Sequence, residues 1–372
     1  MNFDYTDDQK ALKDEARRFL ADVCSPDTVR AVLDDPLADF DRQLWARLVE
    51  QGWCGATIPE AYGGHELGYV ELCALAEELG RAIAPVPFAS SIYQFAEGLL
   101  AYGSDEQKRE LLPQVAAGSV IGTIAFAEPP FAPDTAVGST RFEDDRLSGV
   151  KLPVIDGMAA THAIVQAMDQ AKEGLYIVDL EADGVTRERV STIDPTRGAA
   201  KITFDKAFAQ PLGDSARIGA IEDRAAILMS FEALGGADRA LEMARDYALE
   251  RYAFGRPIGS YQAIKHKLAD VFVKNEVARA NAYYGAWALS TNAAELPVAA
   301  AAARVSAGNA YWQASKENIQ THGGIGFTWE ADCHLHYRRA KHLSLAIGGV
   351  REWKRRLTNR VEAAYRSHRS AA

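Results

Sequence analysis

The side chains best suited to chemistry lie in one run, Arg251-Tyr252-Ala253-Phe254-Gly255-Arg256-Pro257-Ile258-Gly259-Ser260-Tyr261-Gln262. Its two glycines and one proline break helices and let backbone approach a ligand. An arginine and an aromatic flank the turn, a pairing that suits a ligand carrying a diphosphate and a ring. A second glycine cluster follows, Gln320-Thr321-His322-Gly323-Gly324-Ile325-Gly326-Phe327. Taken singly, the first run also reads as a plain helix-turn-helix corner, and Gln320 as a polar residue at a helix end.

The elements around these runs are helical. From Phe3 to about Ala117 apolar residues recur at helical spacing, as at Leu12, Ala16, Phe19 and Leu20, with Asp4 or Thr6 as cap. Trp45, Leu48 and Val49 predict a helix ended by Gly52. Another is expected from Tyr69 to about Ile83. A further one is capped by Ser104 and ends near Leu112-Pro113 and Gly118. Near Ile121 the texture changes to short strand-like segments: Val120 to Phe126, Thr140 to Phe142, Arg146 to Lys151, Ala163 to Met168, Leu175 to Leu180 and Ala200 to Phe204. Turn residues punctuate them, which predicts a small β domain. Helical patterns return over Arg224–Glu250, Ala263–Asn292, Pro297–Asn318 and Glu352–Arg366, joined by short loops as in a bundle. The expected class is α+β, with an N-terminal helical domain over residues 1–119, a middle β domain over 120–213 and a C-terminal helical bundle over 214–372.

Composition narrows the function. A net charge of -10 argues against a nucleic-acid binder. Cys24, Cys54, Cys73 and Cys333 have neither metal-ligand nor disulfide-framework spacing, so no metal is expected. No apolar run is long enough to span a bilayer and no signal pattern opens the chain, so a cytoplasmic protein is expected.

The two glycine runs, in this order, resemble the C-terminal domain of the acyl-CoA dehydrogenase family. Its pattern reads Arg-x-x-Phe-Gly-x-x-x-x-x-(aromatic or His)-Gln, then Gln-x-x-Gly-Gly-x-Gly. Pro59-Glu60-Ala61-Tyr62-Gly63-Gly64 and the Gly103 to Lys108 helix start are also similar to family turns, so the resemblance spans the chain. It implies FAD as cofactor, an acyl-CoA thioester as substrate and an electron-transferring flavoprotein as electron acceptor. In the family FAD straddles two subunits. One holds the flavin ring and the catalytic base, and its neighbour holds the diphosphate and adenosine end. The resemblance assigns that second role to Arg251, Phe254, Tyr261, Gln262, Gln320, Gly323 and Gly324.

The flavin-ring and base positions depart from the family. Its Thr-Glu-Pro-x-x-Gly-Ser stands here as Ala127-Glu128-Pro129-Pro130-Phe131-Ala132-Pro133, without the threonine hydroxyl and with a proline that has no N–H to donate. Its Trp-Ile-Thr strand falls on Pro153-Val154-Ile155. After the counterpart of Tyr-Arg-Asp-Ala-Lys, here Tyr337-Arg338-Arg339-Ala340-Lys341, the catalytic glutamate falls on Ile347. The alternative base position falls on Ala225, so no catalytic residue is assigned. Glu232 is seven residues further on, nearly the same face but about 10 Å along the axis. Its other reading is a carboxylate satisfied by a nearby cation. Glu222 and Asp223 read as acids favouring a helix N-terminus.

Three functions follow. The first is an acyl-CoA dehydrogenase subunit that does not carry the base. It completes a related partner's FAD site in a heterodimer or heterotetramer, as in bacterial enzymes that shorten fatty acyl or steroid side chains. The second is a self-sufficient dehydrogenase, assembled with itself, with Glu232 as an unorthodox base. The third is a non-catalytic acyl-CoA-binding scaffold. Independent drift of each motif also accounts for the departures.

Overall fold

The computed structural model describes residues 5–129, 138–170, 172–213 and 217–371. Its helices are α1 (Asp7–Val23), α2 (Pro26–Asp34), α3 (Arg42–Glu50), α4 (Tyr69–Arg81), α5 (Glu97–Tyr102) and α6 (Asp105–Ala116). After a sheet come α7 (Ile218–Glu250), α8 (Gln262–Ser290), α9 (Leu296–His322), α10 (Cys333–Leu343) and α11 (Val350–Ala371). The fold is α+β, mostly helical, with a middle sheet and a C-terminal helical bundle. It divides into two compact units. One joins Met1–Pro26, Tyr69–Ala84 and Ala226–Ala372; the other joins Asp27–Gly68 and Pro85–Ala225.

Local chemistry explains the helix starts. Thr6 accepts from the Gln9 amide at 3.3 Å while the Gln9 side chain accepts from the Thr6 amide at 2.9 Å, a reciprocal capping box. Ser104 and Gln107 repeat it at α6. Helix α6 carries Pro113 inside it and ends at Ala116, between Pro113 and Gly118 as expected. Proline forfeits its own backbone bond there, yet its carbonyl still accepts from the Ala117 amide at 3.0 Å. Helix α7 begins at Ile218, not Arg224, so Glu222 and Asp223 are buried beyond the first turn, where they do little for the helix N-terminus.

The sheet of the second unit contains β1 (Gly122–Ala125), β2 (Arg141–Glu143), β3 (Arg146–Ile155), β4 (His162–Asp169), β5 (Lys172–Asp179), β6 (Val185–Val190), β7 (Ala199–Phe208) and β8 (Gln210–Pro211). The order is β6-β7-β3-β2-β4-β5-β8, with β1 parallel to β4. Strand β6, Val-Thr-Arg-Glu-Arg-Val, escapes an apolar-alternation reading because it is a charged edge strand. A buried π-helix over Ala89–Ala96 was also not foreseen.

In the first unit α4 and α7 cross backbone to backbone. A Cβ on Gly80 would sit 1.8 Å from the Glu232 carbonyl oxygen, and one on Gly235 would sit 1.7 Å from that of Glu77. Ion pairs surround the crossing: Lys13 to Glu77 at 2.6 Å, Arg279 to Glu77 at 2.8 Å and Arg17 to Glu78 at 2.8 Å. They tie α1, α4 and α8 together.

Candidate functional site

The first glycine run forms a hairpin. Strands β9 (Tyr252–Ala253) and β10 (Arg256–Pro257) pair antiparallel, with Arg256 opposite Ala253 and Pro257 opposite Tyr252. Phe254 and Gly255 fill the two-residue turn at φ +53° and +79°. Two positive φ angles define the tight turn whose twist suits a hairpin. Phenylalanine is poorly suited to that conformation, and its ring is 97% exposed. Arg251 and Gln262 are exposed at the base of the hairpin. Gln262 opens α8, whose N-terminus has no side-chain cap. The Ile264 amide donates to the Tyr261 carbonyl at 3.1 Å, while the Gln262 and Ala263 amides stand at the positive end of the helix dipole, which suits an anion.

The second glycine run ends α9. Gly323 adopts φ +64° and closes the helix, and Gln320 is exposed in its last turn. Tyr247 of α7 stacks on His322 of α9 with ring centroids 4.2 Å apart. Lys267 of α8 pairs with Glu317 of α9 at 3.7 Å. These contacts bring the ends of α7, α8 and α9 together, and with them the two runs. A Cβ built on Gly255, Gly323 or Gly324 meets no atom within 4 Å. Gly255 and Gly323 need their positive φ; Gly324 has no such need. Among the described residues nothing meets a side chain placed at 324.

The residues predicted for this site share one end of the first unit, but they do not behave alike. Tyr261 turns inward: its hydroxyl donates to the Ala253 carbonyl at 2.9 Å, and its ring lies under Arg256. Phe327, just past the second run, is 83% exposed. Arg256 and Phe327 were not assigned a role from sequence.

The base positions are apolar and closed. Ile347 is 1% exposed, and its carbonyl accepts from the Trp353 indole at 2.8 Å. Ala225 is fully buried. Glu232 is buried beside the Arg339 guanidinium, 3.5 Å away. Arg304 is also buried; burial pushes its pKa down to about 10 even though Glu232 acts to raise it. Arg339 donates to the Ala84 carbonyl at 3.3 Å and the Ile83 carbonyl at 3.4 Å. The sequence signal for this pairing was Arg339 itself, an arginine where the resembled motif has aspartate. Such a residue needs an acid, and Glu232 is the one beside it.

In the second unit Glu128 is also engaged. It accepts from Lys151 at 2.6 Å, from the Ser139 amide at 2.5 Å and from the Thr140 amide at 3.2 Å. Burial alone would raise its pKa, but these bonds bring it down to about 2. Pro130, Phe131, Ala132 and Pro133 lie outside the described residues. Val154 is buried within β3. Among the described residues no group of three or more His, Cys, Asp or Glu side chains could hold a metal, and no helix is long and apolar enough to cross a membrane.

The family model described as acyl-CoA dehydrogenase, N-terminal domain, matches residues 6–119, and that described as acyl-CoA dehydrogenase, C-terminal domain, matches residues 222–362. Acyl-CoA dehydrogenase IpdE2 of Mycobacterium tuberculosis is 31% identical over 95% of this chain and 98% of its own length. Its counterpart in Mycolicibacterium smegmatis is 32% identical over 96% and 99%. A solved structure described as the Tcur3481-Tcur3483 steroid ACAD G363A variant superposes with a TM-score of 0.89 at 32% identity, covering 96% of this chain and 98% of that one. The ChsE4-ChsE5 complex from Mycobacterium tuberculosis shares the fold at a TM-score of 0.89 and 24% identity, covering 97% and 99%.

Proposed function

The chain belongs to the acyl-CoA dehydrogenase family, and from that premise we propose that it serves α,β-desaturation of an acyl-CoA as the subunit without the base, completing a related partner's FAD site. The observation that carries this reading is the outward-facing pair of glycine runs. Gly324 faces open space and is not held to a positive φ, which leaves room there for a ligand to approach the backbone. The residues present fit the diphosphate half of a dinucleotide. Arg251 offers a guanidinium fork to phosphate oxygens. The open amides of α8 add partial positive charge, and Gly323 and Gly324 let the dinucleotide backbone pass. Gln320 and Gln262 offer amides, and Phe254 an apolar face.

FAD held at this site would supply the hydride acceptor for the β hydrogen. The α proton needs a carboxylate within hydrogen-bond reach. Ile347 and Ala225 cannot take a proton, and Glu232 is held by Arg339. The base is therefore the partner's. A bulky acyl group, such as a steroid side chain, is the substrate class favoured by the likeness to a steroid dehydrogenase. Electrons then pass to an electron-transferring flavoprotein.

The test is a visible absorbance spectrum of the chain purified alone and with a co-expressed related dehydrogenase chain. A colourless chain that gains flavin only in the complex is expected, with flavin lost from the complex on Arg251→Ala or Gln320→Ala. A yellow chain with stoichiometric flavin on its own overturns the reading.

A further inference from the structure

The hairpin carries a second guanidinium, Arg256, near Arg251 at its foot. Arg256 pairs with Ala253 and Pro257 with Tyr252. The Ile258 amide donates to the Arg251 carbonyl at 2.8 Å, which carries the pairing one step further. Residues opposite one another, and residues two apart on one strand, share a face. Ala253 and Arg256 therefore lie on one face, and Tyr252 and Pro257 on the other; Arg251, whose amide still closes the last turn of α7 on the Tyr247 carbonyl at 2.8 Å, stands at the foot of the hairpin. Arg256 is two residues from Ile258, whose amide bonds Arg251, so the two arginines are near one another. Long side chains from such positions can converge on a single diphosphate.

Both arginines are exposed, and neither has a carboxylate partner among the described residues. Two unpaired like charges side by side repel each other until an anion joins them. Arg256 is also held in place. Its guanidinium carbon sits 4.0 Å from the centroid of the Tyr261 ring. The Tyr261 hydroxyl, bonded to the Ala253 carbonyl at 2.9 Å, braces that ring across the hairpin. A guanidinium lying flat on a ring keeps its N–H edge free for oxygen acceptors and has less rotational freedom to lose on binding.

We propose that Arg256 is a second phosphate-binding arginine of this site, and that Tyr261 is its positioning residue, holding the guanidinium beside Arg251 instead of meeting the cofactor itself. This rests on the reading of the site given above. The ligand class is an adenosine diphosphate, which FAD and coenzyme A both contain, and FAD is the one expected.

The experiment uses the full chain in complex with a related dehydrogenase chain, stripped of flavin and titrated with FAD at low and high salt. Arg251→Ala and Arg256→Ala are each expected to weaken FAD binding by roughly ten- to a hundred-fold and to flatten its salt dependence. Tyr261→Leu is expected to lose part of the affinity, and Tyr261→Phe, which keeps the ring, to retain most of what leucine loses. Thermal melts of Arg256→Ala check that this exposed substitution leaves the fold intact. If Arg251→Ala loses FAD while Arg256→Ala keeps parental affinity and salt slope, Arg256 is no ligand and the inference fails alone. If neither variant affects FAD, the reading of the site fails with it. A rise in the acyl-CoA KM with unchanged FAD binding assigns the pair to coenzyme A and overturns the proposal. Equal losses for Tyr261→Phe and Tyr261→Leu overturn the positioning role.

Discussion

At the scale of single residues, buried charge separates structure from chemistry. Glu232 is beside Arg339 and near Arg304 in a closed interior. Glu232→Gln is expected to cost about 3–5 kcal/mol, because it strands buried guanidiniums. Denaturant unfolding measures this; unchanged stability with lost turnover would instead make Glu232 the base. Ile347→Glu is expected to restore no activity and to destabilise the chain by several kcal/mol, since its carboxylate would enter an apolar site. Unfolding midpoints and turnover, read together, check both halves. His336, bonded to the Tyr311 hydroxyl at 3.1 Å, has its pKa pushed down to about 3 by burial and then by Arg239, Arg339 and Arg81. An unfolded histidine titrates near 6.5, so between those values the unfolded state binds the extra proton. Stability should fall as pH drops through that window, by up to about 1.4 kcal/mol per unit. His336→Gln should remove that part of the slope in urea titrations across the window.

At the scale of elements, tight crossings and strained turns are where substitutions will be felt. Gly235→Ala would force a Cβ into the Glu77 carbonyl and separate α4 from α7. A loss of about 3 kcal/mol or more is expected, read as a lower unfolding midpoint. The hairpin behaves oppositely. Phe254→Asn, which tolerates φ +53° better, should stabilise the chain by about 1 kcal/mol while weakening FAD binding in the complex; calorimetry and flavin titration separate the two effects. The long helices were legible from their uninterrupted length and alanine content, as at Ala299 to Ala303, and Thr6 and Ser104 announced the caps of α1 and α6. Helix α10 was not: in Cys-His-Leu-His-Tyr-Arg-Arg-Ala-Lys-His-Leu the buried positions include His336, Arg339 and His342, so polarity hid the inward face. Strand β6 was hidden by its charges, and the start of α7 by a reading that began at Arg224 instead of Ile218.

At the scale of the whole molecule, the glycine runs and the apolar residues Ile347 and Ala225 at the resembled base positions could be read from residue order alone. The pairing of Arg256 with Tyr261 could not, because it depends on the hairpin register. Nor could the openness around Gly324, which is a property of what fails to pack against it. Leu249, Tyr252, Phe254, Ile325, Phe327 and Trp329 all leave large apolar surface exposed in the first unit. Surface of that kind is adhesive. A copy made in excess of whatever covers it is a substrate for aggregation, chaperones and proteases. In the proposed heteromer, the dose of this chain would therefore have to match that of the partner covering this surface, and the abundance of each would follow the scarcer of the two.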